Sequence, residues 1–326
     1  MPAGSPLVLR VLAGVAGAVL VAGAVTVAAQ EGTGSGPGVG APATPSAAGA
    51  PSPPTTTAPA TRPGSPSTTA PPAQTGSSGA AGLPSTTTTP HPLPVAPLAT
   101  VAGAVPDPGQ PTPTATGQYR YRVSSTGGRD GPSSGTMTEQ VRTESAGAGV
   151  TRQSVIDSEP GQAQGGSPDQ GNATQEVQWD ARGYVQLATT ISAGGQTVHC
   201  VWNPSILELA APLAIGRQWA FAGSCPVTVF GQPGTVQLTG QASVSGSQRV
   251  SVGADAVPVW VIADDYTVVV HVPSLGINAT IHQVATDKVA GRLGLIVEED
   301  ATDTFTFGGR TDTSTNRQVL VSIHPT

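Results

Sequence analysis

Few side chains in this chain of 326 residues are placed to do chemistry. Cys200 and Cys225 are its only cysteines. Their spacing is neither C-x-x-C nor accompanied by a nearby histidine pair, so a zinc or redox motif is not indicated. In an oxidising compartment two lone cysteines point instead to a structural disulfide. Closing a loop of that length would stabilise the fold by about 3.5 kcal/mol in the chain-entropy account. Asp264 and Asp265 are adjacent, and adjacent residues of a strand face opposite ways, so they cannot form a carboxylate dyad with each other. Asp264 falls on the apolar face of its strand, which allows burial with a partner; a pKa-shifted acid is the less favoured reading. Glu298, Glu299, Asp300 and Asp303 lack the alternating oxygen-ligand loop of a calcium site and are expected at a solvated strand end. GPSSG (131–135) fits the nucleophile-elbow pattern, but that elbow needs a strand before it and a helix after it. Here the surroundings read as a loop of small polar residues.

The histidines are tested by the strands that carry them. In 257–272 one face presents Trp260, Ile262, Asp264, Tyr266, Val268, Val270 and Val272. A tight turn at PSLG (273–276) would set Val272 opposite Ile277, Val270 opposite Ala279 and Val268 opposite Ile281. In that register His271 faces Asn278 and His282 faces Thr267. The two histidines would lie roughly 13 Å apart at about 3.3 Å per residue, too far to share a metal. His199 alternates away from Val198, Cys200 and Trp202 and is expected on the surface. No catalytic, cofactor-binding or metal-ligating residue is assigned, and no cofactor is expected. The one assigned pair is the disulfide Cys200–Cys225.

The elements that must position these residues are strands. After residue 118, short β-branched and aromatic segments recur every 10–12 residues between Gly, Pro, Ser and Asp. They include QYRYRVSS (118–125), TQEVQWD (174–180), GYVQLATTI (183–191), CPVTVF (225–230) and TVQLTGQASV (235–244), the last two flanking a tight turn expected at GQPG (231–234). QRVSV, VPVWVIADDYTVVVHV, INATIHQVATDKV, LGLIVEED, DTFTF and NRQVLVSI follow. Short connections imply antiparallel neighbours, and a meander this long must curl or close. The fold class is all-β, an antiparallel meander forming a half-barrel, barrel or sandwich. A single helical turn is expected at NPSILELA, with Asn203 as cap, Pro204 at the first position and Pro212 as stop.

Composition divides the chain. No Phe, Tyr or Trp precedes Tyr119, so the apolar area a core needs begins there. The expected organisation is an n-region at 1–10, a transmembrane anchor or signal peptide at 11–29, a disordered linker at 30–117 and an extracytoplasmic β domain at 118–326. The chain has 14 basic and 20 acidic residues. With Arg10, Arg62, Glu31 and Asp107 set aside, the domain keeps 12 basic and 18 acidic ones. It carries no basic patch for phosphates, which excludes nucleic acid and disfavours an anionic membrane surface as partner.

The uncharged run VLAGVAGAVLVAGAVTVAA (11–29) would be about 28 Å long as a helix, close to a bilayer core. Arg10 before it orients the N-terminus toward the cytoplasm. Cleavage after Ala29 is the alternative to a retained anchor, and either outcome places the rest outside the cytoplasm. The Pro/Thr/Ser-rich stretch that follows cannot bury enough apolar surface to fold and reads as a spacer through a cell wall.

Three segments carry a family resemblance. RVSVGADAVPVWVI (249–262) resembles a strand–turn–strand with V-x-V and an inward aromatic residue. GRLGLIVEED (291–300) resembles a late Leu-Gly-Leu strand, and PLAIGRQWAFAGSC (212–225) a P-L-x-x-G-x-x-W segment. Together they resemble an uncharacterised, actinobacterial-type family of cell-envelope β domains, loosely similar to lipoprotein-carrier half-barrels. The family's Leu-Gly-Leu strand often follows an aromatic-Ser-Pro, where this chain has Lys288, Val289 and Ala290. The resemblance brings no catalytic residues. Half-barrels of this kind can hold an apolar ligand in the concave face, so the resemblance implies a lipid or another envelope component as partner; with the N-terminal segment and spacer, the reading is a membrane-tethered, non-enzymatic domain. An envelope hydrolase and an adhesive module are the alternatives.

Overall fold

A computed structural model describes residues 95–127, 132–158, 172–193 and 196–326. The segments expected as n-region and anchor, and the linker up to residue 94, lie outside the described residues.

The described strands form a closed antiparallel barrel in which every strand pairs with its sequence neighbours and the last returns to the first. They are β1 (Gly117–Gly127), β2 (Ser133–Gly147), β3 (Val150–Ser158), β4 (Asn172–Asp180), β5 (Gly183–Ala193) and β6 (Gln196–Ala210), followed by β7 (Gln218–Val229), β8 (Gln232–Val252), β9 (Asp255–Val272), β10 (Ile277–Ala290), β11 (Leu295–Phe307) and β12 (Arg310–Leu320). Closure comes from β1 on β12, with Tyr121 opposite Leu320 and Gly127 opposite Ser314. Of the three expected architectures the barrel is the one found, and it leaves no long edge strand unpaired.

The β9–β10 hairpin has the register expected from sequence. Val272 faces Ile277, His271 faces Asn278, Val268 faces Ile281 and Thr267 faces His282. One turn of 3₁₀ helix, Pro273–Leu275, makes the connection, with Gly276 in the left-handed conformation. The seven residues of the expected apolar face, Trp260 to Val272, are all buried.

Four expectations change. NPSILELA is part of strand β6 and not a helical turn: Leu207 pairs with Val185 and Leu209 with Tyr184. Partners on β5 satisfy its backbone along a strand, which outweighs the Asn-Pro capping signal. TVQLTGQASV and QRVSV are one 21-residue strand, β8, kinked by a register shift at Val244–Gly246. The β7–β8 turn is Phe230-Gly231, one residue before the GQPG stretch read as the turn. Both residues have positive φ, 50° and 72°, as a two-residue hairpin matched to strand twist requires, and Gly231 takes its share without strain. Finally, the ordered part begins before residue 118. Thr100 bridges to Val250, and Ser251 donates its backbone N–H to Ala99. Trp260 Nε1 donates to the Gly109 carbonyl at 2.8 Å, and Thr114 Oγ1 donates to that of Gly294 at 2.8 Å. Residues 95–116 therefore form a strap against the barrel. It has no aromatic residue; its backbone, its threonine hydroxyls and the Gln110 amide, which donates to the Leu213 carbonyl at 3.1 Å and accepts from the Leu213 N–H at 2.6 Å, make the attachment, with Leu98 packed on the core.

Candidate functional site

Alternation along the strands puts half the side chains inside the barrel, and many of those are polar. Glu139, Gln153, Asp157, Gln175, Gln186, Asp264, Gln283, Asp287 and Glu299 are all buried. No Lys, Arg or His appears among the buried side chains of the described residues. Taking ionised carboxylates out of water is expensive, so such groups either hold their protons or find a cation.

Three acids, Glu208, Asp264 and Asp287, line a small chamber. Its walls include Trp179 on β4, Glu208 on β6, Phe221 on β7, Asp264 on β9 and Asp287 on β10. Trp179 and Tyr184 meet edge to face at 5.2 Å between ring centroids. The cavity measures about 40 Å³ on a scale where one water needs about 10–15 Å³, room for roughly three water-sized groups. An acyl chain does not fit.

Asp264 and Asp287 hydrogen-bond to each other. Burial, and then the charge of Glu299, push the Asp264 carboxyl up to about 8. Asp287 is raised well above the carboxylate range by burial and by Asp264. Glu208 is raised likewise, by burial first and Asp264 second. Both Glu208 oxygens, one oxygen each of Asp264 and Asp287, and Trp179 Nε1 are buried without a hydrogen-bond partner. Beside the chamber, Tyr266 donates to Gln283 Oε1, and Gln283 Nε2 donates to Glu299 Oε1 at 3.2 Å. Farther along the interior, burial and Asp157 raise Glu139, and burial and Glu139 raise Tyr119 to about 12.

The residues singled out from sequence are dispersed. His199 lies outside and meets Thr190 Oγ1 at 2.8 Å. His282 is outside and meets Asp265 Oδ1 at 2.7 Å. His271 is exposed. Asp264 is buried with a partner, as its place on the apolar face allows. Of GPSSG, Ser133 to Gly135 open β2 and pair with Ser125 to Val123 of β1, so strand and not helix follows the serines; Gly131 lies outside the described residues. The acidic run is not a solvated strand end. Glu299 points inward at 0% exposure, and Glu298, at 1%, accepts from Lys288 Nζ at 2.7 Å and from the Leu98 N–H at 2.9 Å. Asp300 pairs with Arg317 and Asp303 accepts from Asn316. Among the described residues no three His, Cys, Asp or Glu are arranged to hold a metal ion.

Sequence reasoning missed Asp287 and Glu208. The signal for Asp287 was present. Extending the Val272–Ile277 register by ten residues sets Asp287 opposite Ile262, one diagonal step from Asp264. Glu208 was hidden by the helical reading of its segment.

Cys200 and Cys225 form a disulfide with 5.4 Å between Cα atoms, and both are buried. It joins β6 to β7, where the backbone register is kept only at Asn203 opposite Ser224. Pro204 and Pro226 flank that point without N–H groups to offer. A Cβ on Gly223 would sit 2.7 Å from the Pro204 carbonyl oxygen, so only glycine lets the two strands come this close. Trp202, buried beside the bridge, donates from Nε1 to Thr189 Oγ1 at 3.3 Å.

Fold and chamber define a class: a closed twelve-stranded antiparallel barrel with carboxyls in its interior and a disulfide across one seam. No family model matches the chain. No curated protein matches it. Among solved structures, the crystal structure of the hypothetical lipoprotein YmcC from Escherichia coli (K12) is similar over 64% of this chain and 86% of that one, at 10% identity and a TM-score of 0.29. Likeness at that level carries no functional argument. Among the described residues, no helix is long and apolar enough to cross a membrane.

Proposed function

We propose that the chain is a membrane-tethered domain of the bacterial cell envelope that works by binding a partner outside the cytoplasm. An apolar anchor at 11–29, or a signal peptide cleaved after Ala29, and a proline-rich spacer would present the barrel at the surface. The observation that carries this reading is the buried Cys200–Cys225 disulfide. Such bonds persist in oxidising compartments and are rare in the cytosol. The chamber is too small for an acyl chain, so a lipid or cell-wall partner would meet the outside of the barrel or the spacer. The test is protease treatment of intact bacteria expressing the full chain, followed by thiol labelling with and without reductant. The reading expects digestion of the barrel from outside and two thiols that label only after reduction. Protection from protease together with two free thiols would sink it.

One observation favours a hydrolase instead. Asp264 and Asp287 form a mutually hydrogen-bonded acid pair facing a chamber, the arrangement in which one carboxyl can hold a proton while the other accepts one. The chamber would have to open for a substrate. Turnover of a wall glycan or peptide that is abolished by Asp287→Asn would favour this reading over binding alone.

A further inference from the structure

We propose that the chamber between β4, β6, β7, β9 and β10 is a binding site for a small primary ammonium ion. The proposal is independent of where the protein resides. Four observations converge on it. Glu208 lines the chamber with both carboxyl oxygens buried and unpartnered. Asp264 and Asp287 each add one unpartnered oxygen at the same wall. No buried Lys, Arg or His among the described residues is available to answer them. Trp179 and Phe221 supply aromatic walls, and a ring face attracts a desolvated cation.

Size and geometry select the class of cation. A space for about three water-sized groups takes methylammonium or ethylammonium together with a water, the water accepting from Trp179 Nε1; a sugar ring or an acyl chain is too large. A divalent metal needs several oxygens converging at 2.0–2.6 Å, and no such convergence exists among the described residues. An ammonium ion instead donates hydrogen bonds of about 2.7–2.9 Å to carboxylates that need not meet at a point. A quaternary ammonium has no N–H to donate and is excluded.

Protons and the amine compete for the same oxygens. The titratable groups around the chamber are Tyr184 on β5, Glu208 on β6, Asp264 and Tyr266 on β9, Asp287 on β10 and Glu299 on β11. The wall residues from β4, β7 and β8 are Trp179, Phe221 and Ala242, which are neutral. Entry of one ammonium ion displaces about one proton from the carboxyls to solvent, so affinity rises with pH.

The experiment uses the full chain with its disulfide intact and methylammonium chloride as the probe, at ionic strength held constant with sodium chloride. Calorimetry in buffers of different ionisation enthalpy counts protons, and thermal melting follows stabilisation. Expected are saturable binding at pH 8.5, release of about one proton, at least tenfold weaker binding at pH 6, and no response to tetramethylammonium. Glu208→Gln should weaken binding at least tenfold. If that variant does not fold, Asp287→Asn serves, and the proton count needs no variant at all. Absence of saturable binding, equal effects of methylammonium and tetramethylammonium, or binding without proton release would each overturn the proposal and leave a chamber that holds water only.

Discussion

Along β9, β10 and β11, neighbouring residues lead opposite electrostatic lives. Asp264 points inward to Asp287, while Asp265, one residue on, is 49% exposed and meets His282. Asp287 points inward, while Lys288 points outward and binds Glu298. Glu299 is inside and Glu298 is on the strap side. The ion pairs Arg182–Asp180, Lys288–Glu298 and Arg317–Asp300 also lie on the outer side of the wall or at its turns. A strand moves a side chain from one dielectric to another in a single residue. Acidic composition alone therefore says nothing about charge state. Arg182 holds the Asp180 carboxyl down at about 2 through hydrogen bonds, whereas burial holds Asp264 up at about 8.

Substitutions at matched inner and outer positions should differ sharply in their cost. The largest effect is expected from Tyr266→Ala. It empties a fully buried site in van der Waals reach of Phe221, whose ring centroid is 6.4 Å away, and should cost about 3–5 kcal/mol in chemical denaturation. Val284→Ala on the outer face of β10, 48% exposed, should cost within about 0.5 kcal/mol. Equal losses would mean that the interior is not packed as described.

Next comes Glu298→Ala. It leaves Lys288 and the Leu98 N–H without their shared acceptor, and a buried pair broken on one side typically costs about 3 kcal/mol. It should also raise amide exchange at Leu98 and along the strap. A stability loss with unchanged strap exchange would refute the anchoring role.

Below about pH 4 the Asp264 carboxyl is protonated in both the folded and the unfolded chain. Between there and about 8 only the unfolded chain gives up its proton, so rising pH favours unfolding by on the order of 1 kcal/mol per pH unit. Above about 8 that contribution has been lost. Melting temperature should therefore fall from pH 5 to pH 8, and Asp264→Asn should flatten the fall. A melting temperature that climbs over this range would show the interior acids ionised and neutralised. The smallest effect is expected from Asp265→Asn, an exposed pair with His282, at about 0.5 kcal/mol or less. A larger value would place that pair out of solvent.

How much of this was readable depended on whether the inner face of a strand is apolar. The β9–β10 hairpin alternates cleanly over sixteen residues and ends in a tight turn, so both register and faces followed. In β2 and β3 the inward residues include Glu139, Gln153 and Asp157 beside Met137, Val141 and Val155. Polar residues inside and Ser, Thr and Arg outside erase the alternation, and neither segment stood out as a strand. The same cause hid the chamber, because an inward Glu looks like a solvated one. The disulfide was legible from cysteine number and context. That it crosses the one seam with almost no backbone register was not, since strand pairing is a property of the closed sheet.

That seam sets the consequence of losing the bond. A closed sheet offers no backbone for another chain to pair with. Without the Cys200–Cys225 bridge, what joins β6 to β7 is the packing of Ile206 on Gly223, the single register pair Asn203–Ser224 and the Ser224 Oγ to Asn203 carbonyl contact of 3.2 Å. Parting there converts the ring into an open sheet whose two terminal strands present unused N–H and C=O groups, a template for edge-to-edge association with other copies. Keeping the two sulfurs oxidised thus guards the protein against joining itself.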